Sequence, residues 1–136
     1  MELQVGVKVL LKNKEGNYLL LRRSLVKYPD VKGRWDIAGG RIEIGTPLME
    51  NLKREVKEET GMELVGEPRL CAAQDILRGA GKHVVRLTYT GEAAGEIVLD
   101  TNENDIYRWF TKEELMHLDD VDIYFKELLD EGLVVS

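Results

Sequence analysis

Residues 39–62 read GGRIEIGTPLMENLKREVKEETGM, and the punctuation of this stretch predicts a helix from about Pro47 to Thr60. Thr46 is a suitable N-cap, Pro47 suits the first helical position, and Gly61 suits the left-handed position past the carboxyl end. At about 100° per residue, Leu48, Leu52, Glu55 and Glu59 fall on nearly one side, with Glu58 beside them. The acidic residues continue the apolar stripe, so they are expected to face inward. Unpaired carboxylates are costly there, and like charges three or four residues apart repel. A hard cation offsets both effects, since Mg²⁺ favours one or two carboxylates and completes its shell with water and substrate phosphates. Arg54 is a second source of positive charge. The helix pattern alone leaves another reading open, a solvated acidic helix paired with Lys53, Arg54 and Lys57.

Working outward, Leu3, Val5, Val7 and Val9 alternate with Gln4, Gly6 and Lys8, the period of a strand with one buried face. Asn13 to Gly16 turns the chain, and Tyr18 to Leu21 runs into Arg22-Arg23, so the first two strands are expected to form a hairpin. Trp35 to Ala38 reads as a short strand entering Gly39-Gly40, where missing side chains let the backbone approach a ligand or another segment. Beyond the helix, Arg69 to Leu77 and His83 to Thr90 read as strands around a Gly79-Ala80-Gly81 turn, with Ile97 to Leu99 and Ile106 to Phe110 as shorter ones. Thr111 to Glu114 is a capping box, and Val121 to Leu129 is amphipathic up to Gly132. Strands with one central and one or two terminal helices imply an α/β or α+β sandwich around a mixed sheet. No repeat or low-complexity linker divides the chain, so residues 1–136 are expected to be one domain.

Composition narrows the function. Cys71 is the only cysteine, which excludes an intrachain disulfide and a thiolate-rich zinc site and implies a reducing cytoplasm. Apolar runs such as Leu19-Leu20-Leu21 are far shorter than a membrane span, and no basic segment leads into an apolar one at the amino terminus, so neither a membrane nor export is expected. The net charge of −6 repels a phosphate backbone and argues against a nucleic acid polymer as main partner. A small anion remains open if a cation mediates, to a monomer or a homodimer.

The stretch from Gly40 to Met62 resembles the signature of the Nudix hydrolase superfamily, G-x5-E-x7-R-E-U-x-E-E-x-G-U with U aliphatic. Gly40, Arg54, Glu55, Val56, Glu58, Glu59, Gly61 and Met62 fall at the matching positions, with Met accepted as U. The likeness extends to the hairpin ending in Arg, the Trp before the glycine pair and the late segment Glu103 to Trp109. Two positions depart: Thr46 replaces the first glutamate of the signature, and Ala38 replaces the usual Pro before the glycines. In the family that first glutamate supports the site, whereas the closest metal ligands come from the later carboxylates.

The resemblance implies a Nudix-like α/β/α sandwich that hydrolyses the diphosphate linkage of a nucleoside diphosphate derivative with Mg²⁺ or Mn²⁺. It implies that Glu55, Glu58 and Glu59 coordinate the metal with the Gly39 carbonyl, that Arg54 orients the glutamates, and that Gly40 and Arg23 meet the substrate. Family members take the general base from the signature helix or from a late loop, which here offers Glu103. Solvated-loop and strand-end readings of Glu103 and Arg23 stay open beside these. Substrate classes left open are modified nucleoside triphosphates, ADP-ribose or nucleotide sugars, and dinucleoside polyphosphates. A nucleotide-binding module without hydrolysis is the alternative that Thr46 encourages.

Overall fold

The computed structural model describes residues 1–77, 79 and 81–135, so Ala80 of the expected Gly79-Ala80-Gly81 turn lies outside the described residues. Four strands precede the central helix: β1 (Glu2–Lys12), β2 (Tyr18–Arg23), β3 (Trp35–Asp36) and β4 (Ala38–Arg41). The helix α1 (Leu48–Thr60) is followed by β5 (Glu63–Ile76), β6 (Lys82–Ala94), β7 (Asn104–Phe110), α2 (Lys112–Met116) and α3 (Ile123–Asp130). The mixed sheet runs β3-β2-β1-β6-β5, with β4 joined to β1 and β7 to β2.

β1 organises this sheet. β6 runs parallel to it from Glu2↔Lys82 to Lys12↔Glu92 and fills one edge along its whole length. The other edge is divided: β4 pairs from Gly6↔Arg41 to Val9↔Ala38, and β2 pairs only at Leu11↔Leu19 and Lys12↔Tyr18. Between them the chain leaves β2 at Leu21↔Asp36 and joins β1 two residues later, at Ala38. The sheet therefore forks around Ile37.

Alternation along the strands separates two apolar layers. Val7, Val9, Leu11, Leu19 and Leu21 pack with Leu52 and Val56 of α1, whereas Leu10, Leu20 and Ile37 pack with Phe125, Leu128 and Leu129 of α3. Burying each of these side chains is worth about 1.5–3 kcal/mol. Trp35 meets Phe110 edge-on at 5.3 Å in one layer, and Trp109 packs against the other, so both tryptophans serve the core.

Several local expectations are corrected. Thr46 does not cap α1: Pro47 occupies the cap position and no side chain caps it. Buried Asn51 instead ties the helix start to the preceding loop, donating to the carbonyls of Thr46 at 2.8 Å and Pro47 at 2.9 Å and accepting from the Glu43 amide at 3.0 Å. The helical end at Gly61 stands, with φ at 75°. Ile97 to Leu99 forms no strand, because the Val98 amide is taken by the Thr60 carbonyl at 2.8 Å while Ile97 and Leu99 pack under α1. β5 starts at Glu63 rather than Arg69; Gly66 and Pro68 lie where its register with β6 shifts, between Val65 and Arg69. α3 starts at Ile123 rather than Val121, since Asp122 caps it by accepting from the Tyr124 and Phe125 amides, each at 3.1 Å.

Candidate active site

A cavity of about 590 Å³ lies at the fork in the sheet. Glu55, Glu58 and Glu59 of α1 line it with Gly39 and Gly40 of β4, and so do Lys8 of β1 and Arg86 of β6. Leu52 and Val56 are fully buried and hold the helix down. The glycine pair lets the layers close: a Cβ on Gly39 would sit 2.0 Å from the Val7 carbonyl oxygen, where φ is also +139°, and one on Gly40 would sit 2.7 Å from Glu55 Oε2. The close approach at both glycines is thus to another segment of the chain.

The three carboxylates differ in setting. Glu59 Oε1 accepts from the Gly39 amide at 3.1 Å. Burial pushes the Glu59 carboxyl up to about 7; Lys8 and the Gly39 amide oppose the rise, while Glu55 and Asp36 add to it. Burial also raises Glu55, with Arg54 opposing. Glu58 departs from the inward expectation, its side chain being 59% exposed. Arg54 gathers Glu55 and Glu58 but not Glu59, reaching Glu55 Oε1 at 3.1 Å and Glu58 Oε2 at 3.3 Å, with Glu43 Oε1 at 3.7 Å as its third partner. Asn51 Oδ1 steadies Arg54 by accepting from Nη2 at 3.0 Å.

Among the described residues no three His, Cys, Asp or Glu side chains converge into a ready metal cage. The donor set nevertheless fits a hard divalent cation: it is all oxygen, and Glu59 is a half-buried carboxylate that, among the described residues, accepts one hydrogen bond, from the neutral Gly39 amide. Glu55, Glu58, Glu59 and the Gly39 carbonyl are the groups that would hold such an ion.

The far half of the cavity contains a charge network absent from the sequence reading. Buried Asp36 takes Arg23 at 2.7 Å, Arg86 at 3.0 Å and Lys8 at 3.3 Å. Burial acts to raise this carboxyl, but Arg86, Lys8 and Arg23 hold it well below the usual carboxylate range. Asp122 meets Arg86 at 3.2 Å and Arg23 at 3.8 Å. Arg86 interrupts the apolar run Val84-Val85-Arg86-Leu87, and a lone charge inside a strand is the available signal, because a buried charge must find a partner. Arg23 thus lines the cavity while bound to Asp36, with 29% of its side chain exposed.

Glu103 lines the same cavity and is not a freely solvated loop glutamate. Its carboxylate pairs with Lys27 and accepts from the Tyr28 hydroxyl at 2.6 Å. Burial acts to raise its pKa, but the Lys27 and Tyr28 hydrogen bonds carry it below its ordinary value.

A family model described as the NUDIX domain matches residues 2–131. The chain belongs to the Nudix family. Its relatives include the nucleoside triphosphatase NudI of Escherichia coli, 30% identical over 96 residues, 64% of this chain and 68% of that protein. The m7GpppN-mRNA hydrolase NUDT17 of Xenopus laevis is 44% identical over 62 residues, 44% of this chain. The match spans only 20% of that protein's length. A crystal structure of a MutT NUDIX hydrolase from Burkholderia pseudomallei shares the fold with a TM-score of 0.81 at 22% identity, over 96% of this chain and 98% of the other. Nudix membership indicates a pyrophosphohydrolase, of a family that acts on nucleotide derivatives and generally uses divalent metal ions. Among the described residues no helix is long and apolar enough to cross a membrane.

Proposed function

We propose that this Nudix protein hydrolyses the diphosphate linkage of a nucleoside diphosphate derivative with the help of Mg²⁺ or Mn²⁺. The observation that carries the reading is the half-buried Glu59 carboxylate beside Glu55, lining one cavity with Lys8, Arg23 and Arg86. A divalent ion held by Glu55, Glu58, Glu59 and the Gly39 carbonyl would neutralise phosphate oxygens and lower the pKa of water. Arg54 orients Glu55 and Glu58 through its planar guanidinium, a geometry that a Lys does not reproduce. Glu103, kept ionised by Lys27 and Tyr28, is the loop candidate for accepting the water's proton, with Glu55 and Glu58 the helix candidates. Gly40 leaves room for Glu55 at the substrate's edge, and Arg23 presents its exposed portion to a phosphate.

Nucleoside triphosphates are the favoured substrate class, in keeping with the nucleoside triphosphatase NudI among its relatives. The single, half-buried Cys71 fits a cytoplasmic setting. The test is a panel of modified nucleoside triphosphates, ADP-ribose, nucleotide sugars and dinucleoside polyphosphates, with Mg²⁺ or Mn²⁺ and products identified by mass. Metal-dependent release of phosphate, pyrophosphate or nucleoside monophosphate supports hydrolysis; tight nucleotide binding with no product supports the binding-module alternative.

A further inference from the structure

Lys8 stands where the two halves of the cavity meet. It pairs with Gly39 on one edge of β1 and with Thr88 on the other, and its side chain is only 13% exposed. Among the described residues one acceptor lies within ion-pair range, Asp36 Oδ2 at 3.3 Å. Arg23 takes that same oxygen at 2.7 Å, and Arg86 takes the other at 3.0 Å. Asp122 is shared by Arg86 and Arg23. Within this network three cations share two carboxylates. An ammonium has three N–H donors, and Lys8 directs one contact to an already saturated carboxylate. Gly39, its partner on β4, donates to Glu59, so Lys8 also borders the carboxylate half of the cavity, with no ion pair to Glu55 or Glu59 among the described residues.

Resting on the hydrolase reading above, we propose that Lys8 is a further substrate-binding residue. Its ammonium donates to a non-bridging oxygen of the diphosphate, and when no divalent ion is bound it serves as an internal counter-cation to Glu55 and Glu59. The two roles have opposite consequences. A cation facing the glutamates opposes the entry of a second cation, whereas the same charge attracts a phosphate oxygen. Removing it weakens diphosphate binding and, at a pH where Glu55 and Glu59 are ionised, strengthens metal binding to the free protein. A purely structural lysine would affect both in the same direction, by loosening the cavity.

The experiment uses the full chain as wild type, Lys8→Met and Lys8→Arg, with folding checked by thermal melting. Calorimetry at pH 8.5 measures Mn²⁺ affinity without nucleotide and methylenediphosphonate affinity at saturating Mn²⁺. Lys8→Met is expected to bind Mn²⁺ about threefold or more tightly and the diphosphonate roughly tenfold or more weakly. Lys8→Arg is expected to retain most of the diphosphonate affinity. If Lys8→Met does not fold, Lys8→Gln is read by the same two titrations. Unchanged or weaker Mn²⁺ binding, or undiminished diphosphonate binding, in the folded neutral variant overturns the proposal. Diphosphonate binding decides it without turnover, so a wild-type protein that binds but cleaves nothing overturns the hydrolase reading alone.

Discussion

A Cβ on Gly40 would lie 2.7 Å from Glu55 Oε2, so the absence of a side chain at one residue sets the place of the other's carboxylate. The obstructing atoms are the far end of a flexible side chain. Gly40→Ala is therefore expected to cost less than about 1 kcal/mol of stability while displacing Glu55 and lowering turnover at least about tenfold. Gly39→Ala is the contrast, because its Cβ would meet the Val7 backbone at 2.0 Å with φ at +139°. It is expected to lose about 3 kcal/mol or more. Denaturant titration and steady-state kinetics on both variants check the pair.

The raised Glu59 carboxyl makes a pH prediction for the metal-free protein. An acid whose folded pKa is about 7, against an ordinary 4.5, holds its proton more tightly when folded. Its stabilising contribution is present below about 4.5 and is lost as pH rises through about 7. Urea midpoints measured in chelator from pH 5 to pH 8 should therefore fall more steeply in wild type than in Glu59→Gln. Asp36 contributes in the opposite sense, its stabilisation disappearing as pH falls below the ordinary carboxylate range.

Divalent metal should raise the melting temperature of wild type at pH 8, because an ion that binds the folded carboxylates stabilises the fold by mass action. In Glu58→Gln/Glu59→Gln the shift should shrink or vanish. Each single substitution should lower turnover by about a hundredfold or more with the fold retained. An equal thermal shift in the double variant would remove these residues from the metal assignment.

Thr46→Ala should leave stability within about 0.5 kcal/mol, since no side chain caps α1. Asn51→Ala should cost about 2–4 kcal/mol, because it removes a fully buried amide that bonds the Thr46 and Pro47 carbonyls, the Glu43 amide and Arg54. Loss of that anchor should also lower turnover through Arg54. Chemical denaturation gives the first comparison, and kcat at saturating metal gives the second.

The sequence by itself determined the central helix, its carboxyl end at Gly61, the one-sided spacing of Glu55 and Glu59, and the family. These are short-range matters, set by a 3.6-residue period, the freedom of glycine and fixed intervals between neighbours. It misassigned the amino end of the helix, because Thr46 is a good cap by type while Asn51 reaches the same backbone from inside. Only the tertiary structure decided the other half of the site. Lys8, Asp36, Arg86 and Asp122 lie far apart along the chain; they meet because β6 runs parallel to β1 and the chain crosses from β2 to β1 at Ile37. Whether a charge in a strand faces water or a covered cavity depends on what packs over it; the apolar run around Arg86 signals that a partner is needed but not which residues supply it.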